Sequence, residues 1–232
     1  MDTRVSGAAL VGSGGLDQLD RWSDLDLTFG LQDGIAPKDV LNSWTPEIER
    51  DLGAIPLFDV SRRDSHYRVF LLPGNLQVDL SFTPGFVAQY GPGFRLLFGG
   101  PVERKDLPDR PASEAFGYGA HHAVRARYCI ERGKVWQAEF WISGLRDEGL
   151  TLACQRRNLN GSYGRGFDQL PGDVRRKAEA CLIRSTAKEE LLRALRESVD
   201  LLIQESAGTM NLANKLESQL RDLGRADWFA QS

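Results

Sequence analysis

The stretch Ser23-Asp24-Leu25-Asp26-Leu27 decides the fold prediction, and Gly12-Ser13 precedes Asp24 by a gap of ten residues. In a β-strand, residues two apart point to the same face. Asp24 and Asp26 therefore project together, while Leu25 and Leu27 point into a core. Neighbouring carboxylates repel each other unless a cation neutralises them. Because Mg²⁺ prefers oxygen ligands, the stretch predicts a strand that carries part of a metal site.

A second carboxylate-bearing strand is predicted further along the chain. The segments His66–Leu72 and Leu76–Phe82 flank Pro73-Gly74-Asn75, which is typical of a β-hairpin. Asp79 stands in the middle of the second segment, where burying a carboxylate without a partner is costly. We therefore expect this strand to lie beside the earlier one, so that Asp79 joins the aspartate pair in a cage of three carboxylates.

Short elements surround these two strands in the first ~105 residues. Apolar residues at helical spacing predict an amphipathic helix over roughly 37–52. Further strands are predicted at Ala8–Val11, Ile55–Val60 and Phe94–Phe98. Together these elements predict a mixed sheet with one or two helices.

From about Pro111 the pattern becomes helical. A long helical stretch from Ser113 to Arg157 has Gly133 as its expected break. Thr186-Ala187-Lys188-Glu189 has the form of a capping box and predicts the start of another helix. A last helix is expected to carry Leu212, Leu216 and Leu220. Arg127, Lys134 and Arg146 could reach phosphates, but residues of this kind are more often solvated helix charges, and we assign them no role.

The predicted fold class is therefore α+β, with a mixed β-sheet domain at 1–105 and an all-α helical bundle domain at 106–232. The net charge of −3 gives no general attraction to polyanions, which argues against a nucleic-acid partner. No apolar run is long enough for a membrane span, so we expect no membrane partner and a cytoplasmic protein. Cys129, Cys154 and Cys181 fit neither a metal pattern nor a disulfide framework, and we expect them to be buried packing residues.

The Gly-Ser pair, the Asp-Leu-Asp strand and the later Asp79 resemble the DNA polymerase β nucleotidyltransferase superfamily. Within it, the pattern is most similar to small bacterial enzymes that adenylylate antibiotics, the kanamycin, streptomycin and lincosamide nucleotidyltransferases, and to their minimal relatives. Motifs carry this resemblance over residues 8–98 only. It implies a nucleotidyltransferase-type mixed sheet, and an enzyme that transfers a nucleoside monophosphate, AMP from ATP as the first expectation, to a hydroxyl.

The resemblance also implies roles for particular residues. Two Mg²⁺ ions are expected, with Asp24 and Asp26 holding both and Asp79 holding the catalytic one. ATP or another nucleoside triphosphate is expected to contact Gly12, Ser13 and Ser23. The acceptor is expected to be a small molecule with a hydroxyl, an antibiotic in the resembled enzymes, which would make the chain a resistance protein. Either Asp79 or Glu139, which lies between Trp136 and Trp141, is the expected general base.

Three other functional classes compete with this hypothesis. A minimal regulatory or antitoxin-type nucleotidyltransferase would adenylylate or bind a protein, but such proteins are often shorter than this chain. A polymerase or tRNA-modifying enzyme would need a basic groove, which the composition does not support. An inactive relative is disfavoured because the carboxylate set is intact. A monomer and a homodimer both remain open.

Overall fold

The structure is a computed structural model that describes residues 2–62, 65–85, 87–88, 93–100, 102–103 and 110–225. The chain divides into a sheet unit, Met1–Leu107, and a helical unit, Pro108–Ser232. The sheet unit contains these elements: β1 (Val5–Val11), α1 (Gly12–Gly15), β2 (Leu25–Leu31), α2 (Pro37–Leu52), β3 (Ile55–Arg62), β4 (Ser65–Leu72), β5 (Leu76–Pro84), β6 (Val87–Ala88), β7 (Phe94–Phe98) and β8 (Val102–Glu103).

Apolar alternation along these strands builds a mixed sheet, in which the described residues form six strands in the order β3-β4-β5-β2-β1-β7. β4 and β5 form the predicted antiparallel hairpin, with Leu72 opposite Leu76. Gly74 and Asn75 both have left-handed φ values of 81° and 63° in its turn, a conformation that glycine and asparagine adopt more readily than other residues. β2 pairs with β5 in parallel and with β1 antiparallel. The α+β prediction is confirmed for this part of the chain.

Three aromatic rings fasten α2 to one face of the sheet. Phe29 of β2 and Phe82 of β5 stack with their ring centroids 5.0 Å apart. Trp44 of α2 meets both rings edge-on, at centroid distances of 5.1 and 5.2 Å. Because Phe29 and Phe82 sit on the two strands that carry the aspartates, this packing fixes the strands against each other from the face opposite the carboxylates.

The helical unit contains α3 (Ala112–Glu131), α4 (Val135–Gln155), α5 (Gly172–Ala180), α6 (Lys188–Gln204) and α7 (Met210–Asp222). The predicted break at Gly133 is confirmed, since this glycine has a left-handed φ of 65° between α3 and α4. Cys129, Cys154 and Cys181 are buried in this unit, as predicted. In the described ranges, no helix combines the length and the apolarity needed to cross a membrane.

The predicted capping box at Thr186 is wrong. α6 begins at Lys188, and its N-cap is Ala187, whose side chain has no acceptor for a free N–H group. In a capping box, the second residue's carboxylate would accept a backbone N–H ahead of the helix. Here Glu190 and not Glu189 makes such a bond: its Oε1 accepts the backbone N–H of Arg184 at 2.9 Å. The helix therefore starts one residue later than the pattern indicates.

Candidate functional site

The parallel pairing of β2 with β5 brings the predicted carboxylates together. Asp26 lies directly opposite Asp79 in this register, and Asp24 immediately precedes β2. Residues opposite each other in paired strands point to the same face of the sheet. One oxygen from each of the three carboxylates lies within 4.8 Å of the other two, a grouping able to hold a metal ion. We call Asp24, Asp26 and Asp79 the aspartate patch.

The electrostatics of the aspartate patch centre on Asp79. Burial raises the pKa of Asp79, a hydrogen bond from Gln77 opposes that rise, and the negative charge of Asp24 adds to it. The Gln77 amide nitrogen donates to Asp79 Oδ1 at 3.0 Å. No Lys or Arg of the described chain is among the groups that shift this pKa. The carboxylate is thus oriented by a neutral amide, and its charge is left uncompensated by that contact.

Gly12, which directly follows β1, lies beside this patch, and Ser13 comes next in the chain. Gly12 has a left-handed φ of 62°, and a Cβ atom added there would overlap Oδ2 of Asp26. Only glycine fits at this position without strain. The Ser13 hydroxyl is buried and has no hydrogen-bond partner among the residues that the structure describes. An unpaired buried hydroxyl is costly, and a hydrogen bond to a ligand would offset that cost.

Ser23 serves the turn that leads into β2. Its hydroxyl accepts the N–H of Asp20 at 2.9 Å and donates to Asp20 Oδ1 at 3.0 Å. Asp20 Oδ1 also accepts the N–H of Trp22 at 2.8 Å. These bonds fix the backbone just before Asp24. A contact between Ser23 and a nucleotide stays a prediction.

Glu139 belongs to the helical unit, on α4. It is half-buried, and its Oε1 accepts a hydrogen bond from the Ser143 hydroxyl one turn later at 2.9 Å. The neighbouring aromatics Trp136 and Phe140 are 76% and 64% exposed. Its predicted role as general base stays a prediction.

Gln77 is the site residue to which the sequence analysis gave no role. It lies two residues before Asp79 on the same strand and on the same face. That period-two spacing is visible in the sequence, and a polar residue on the carboxylate face was the available signal. The approach of Gly12 to Asp26 had no such signal, because it depends on how the β1 turn folds back over β2.

Comparison with solved structures finds chains of similar fold. No protein-family model matches the sequence, and no curated protein matches it. Among solved structures, the chain is similar to an aminoglycoside 6-adenyltransferase from Bacillus subtilis, with a TM-score of 0.44 and 10% identity over 96% of this chain and 92% of that chain. Because both values are low, the chemistry proposed below is inferred from this chain's own residues.

Proposed function

We propose that this chain is a metal-dependent nucleotidyltransferase, which moves a nucleoside monophosphate from a nucleoside triphosphate, ATP in the first instance, to a hydroxyl of a small molecule. The single observation that carries the proposal is the convergence of Asp24, Asp26 and Asp79, whose oxygens lie within 4.8 Å of one another. Like charges so close raise the free energy of the folded chain unless a counter-ion is present. A catalytic function that requires bound metal ions would explain why the chain keeps three carboxylates together.

The aspartate patch fits a hard divalent cation. Its three side chains offer oxygen ligands only, as Mg²⁺ prefers. Mg²⁺ held by few protein ligands usually keeps its other positions for water or phosphate oxygens. The opposing register of Asp26 and Asp79 holds two of the ligands on a rigid parallel pair. We propose two Mg²⁺ ions, with Asp24 and Asp26 contacting both and Asp79 contacting one. When bound, such ions neutralise phosphate charge and lower the pKa of an attacking hydroxyl.

The protein's own groups position the reactants. Backbone N–H groups at Gly12 and the Ser13 hydroxyl are proposed to hold the β- and γ-phosphates, since the missing side chain at Gly12 lets this backbone approach Asp26 closely. The acceptor oxygen forms a bond to the α-phosphorus, while the bond from that phosphorus to the pyrophosphate oxygen breaks. The acceptor proton passes to Asp79. Positioning of this kind supplies much of the rate in phosphoryl transfer.

Glu139 is the second candidate for the proton acceptor. Exposed aromatic rings lie beside Glu139 and suit an organic acceptor. The Ser143 hydroxyl bonds only its Oε1 atom, so among the described residues its Oε2 atom has no hydrogen bond. Asp79→Asn and Glu139→Gln separate the two possibilities. Loss of the base lowers kcat and moves the acidic limb of its pH profile, whereas loss of an acceptor contact raises KM.

The experiment that tests the proposal combines the whole protein, α-labelled ATP, Mg²⁺ and a panel of hydroxyl compounds that includes aminoglycosides, lincosamides and neutral glycosides. We expect label to pass to at least one compound, and to stop when Mg²⁺ is chelated or Asp79 is changed to Asn. An absence of both transfer and ATP binding would contradict the proposal. Label on a co-purified protein would instead favour the regulatory alternative.

A further inference from the structure

A cavity lies within the helical unit, where the start of α3, the end of α4 and the following loop meet. Its volume is about 930 Å³, which is large enough for a ligand of several rings. Its walls include Arg110, Thr151, Asn158, Asn160, Ser162 and Tyr163. None of the sequence motifs discussed above assigns these residues a role.

The cavity presents little net charge. Arg110 is its cationic lining residue, and no carboxylate lines it in the part of the chain that the structure describes. The Arg110 Nη1 atom lies 3.0 Å from Glu148 Oε2, and its Nε lies 3.2 Å from Glu114 Oε1. Arg110 is therefore ion-paired with two acidic residues outside the lining. A strongly charged ligand of either sign finds no free counter-charge among these groups.

The loop instead offers uncharged hydrogen-bonding groups. The Asn158 carboxamide and the Ser162 hydroxyl make no hydrogen bond to any residue in the described ranges. Asn160 Oδ1 accepts the Ser162 N–H at 2.9 Å, which fixes the carboxamide and leaves its NH₂ group to donate elsewhere. Amides and hydroxyls both donate and accept, so they match a ligand rich in hydroxyl groups.

Tyr163 adds an aromatic surface at the rim. Tyr163 is 76% exposed, and the Arg165 guanidinium lies over its ring, with Cζ 5.5 Å from the ring centroid. Its φ is 55°, a left-handed value that costs a non-glycine residue about 1–2 kcal/mol. Asn158, on the same rim, has a φ of 53°. The loop thus holds an exposed ring in a strained conformation beside the unpaired amide.

We propose that this cavity binds an uncharged, polyhydroxylated ligand, with Tyr163 stacking on the apolar face of a sugar ring. The ligand class is then a neutral glycoside and not a polycationic aminoglycoside. An aminoglycoside would need carboxylates that the described lining does not supply.

The test uses two probes that are similar in size but differ in charge: the neutral trisaccharide raffinose and the polycation kanamycin. Binding to the full chain is measured by saturation-transfer NMR and titration, without Mg²⁺ or nucleotide. We expect raffinose to bind and Tyr163→Ala to weaken it at least tenfold. The matched control Tyr128→Ala removes a partly exposed tyrosine of α3 that is absent from the cavity wall, and is expected to leave binding unchanged.

Asn158→Asp sharpens the test, since aspartate tolerates the same backbone and adds one carboxylate to the rim. It is expected to weaken raffinose and to favour kanamycin. Raffinose that fails to bind, or that binds with no response to Tyr163→Ala, overturns the proposal, as does tighter binding of kanamycin to the unaltered chain. Asp79→Asn is expected to leave raffinose binding unchanged, so failure here and failure of nucleotidyl transfer are separate outcomes.

Discussion

The aspartate patch of the sheet unit gathers charges of one sign, whereas the Arg127–Glu131 pair of the helical unit joins charges of opposite sign. Arg127 is fully buried, with its Nη2 atom 2.8 Å from Glu131 Oε1 and its Nη1 donating to the Leu223 carbonyl at 2.8 Å. The protein thus supplies the counter-charge itself. The aspartate patch instead gathers three like charges within 4.8 Å. A counter-charge supplied by the protein indicates a structural role, whereas three carboxylates gathered in one place indicate a cation site.

The largest effect is expected from Asp79→Asn. Removing one ligand of the aspartate patch should lower kcat for nucleotidyl transfer by about 10³-fold, equivalent to about 4 kcal/mol of transition-state stabilisation. The assay is transfer of label from α-labelled ATP, with far-UV circular dichroism to verify folding. Asp33→Asn, an exposed aspartate of the same unit, is the matched control and should retain activity. Equal activity of the two variants would remove Asp79 from the mechanism.

A substitution in the Arg127–Glu131 pair should change the free energy of unfolding. Arg127→Leu leaves Glu131 half-paired and the Leu223 carbonyl without its donor, and should lower the free energy of unfolding by about 3 kcal/mol. Arg146→Leu breaks an ion pair with the 52% exposed Asp147 and should cost less than about 1 kcal/mol. Urea unfolding of both variants measures the difference. Equal losses of unfolding free energy would mean that the buried Arg127 contributes no more to stability than the surface ion pair of Arg146.

Gly12→Ala is expected to affect both stability and metal binding. The added Cβ would overlap Asp26 Oδ2, and the left-handed φ adds strain of about 1–2 kcal/mol. Gly14→Ala is the matched control, since its Cβ would make an ordinary 3.6 Å contact with Leu10. Unfolding curves and Mn²⁺ titration together should show a defect for Gly12→Ala only.

The smallest effect is expected at Asp2, another compensated carboxylate. Hydrogen bonds from the Arg4 guanidinium hold the pKa of Asp2 below its usual range, and the Trp44 indole adds a bond of 2.7 Å. A folded-state pKa below the unfolded value gives stability that is present at neutral pH and is lost as pH falls below about 4. Asp2→Asn should therefore cost about 1 kcal/mol at pH 7. The difference from the unaltered chain should shrink toward pH 2.

The sequence was sufficient for the local elements that depend on periodicity. α2 begins and ends where helical spacing predicts, and the β4–β5 hairpin follows its Pro-Gly-Asn turn. The strand faces were also predictable, because side-chain direction alternates strictly along a strand. The expectation that Asp79 lies near Asp24 and Asp26 followed from asking where an aspartate in an apolar strand finds a partner, whereas the register opposite Asp26 is known only from the structure.

Features that depend on distant chain segments could not be predicted. Arg127 was interpreted as a solvated charge, yet it is only 1% exposed, because the C-terminal end of α7 supplies the Leu223 carbonyl across 96 positions of sequence. The start of α6 was misplaced because Thr186 matches a capping box in type but lies one position too early. Neither fact has a local signature.

Thermal unfolding of the unaltered chain and of Asp79→Asn, each with chelator and with Mg²⁺, tests most directly whether a cation neutralises the aspartate patch. Mg²⁺ should raise the Tm of the unaltered chain, because it binds the folded state alone. Asp79→Asn should melt higher than the unaltered chain in chelator, since one repelling charge is gone, and should respond less to Mg²⁺. An unaltered chain whose Tm is the same in both conditions, across millimolar Mg²⁺, would contradict the account.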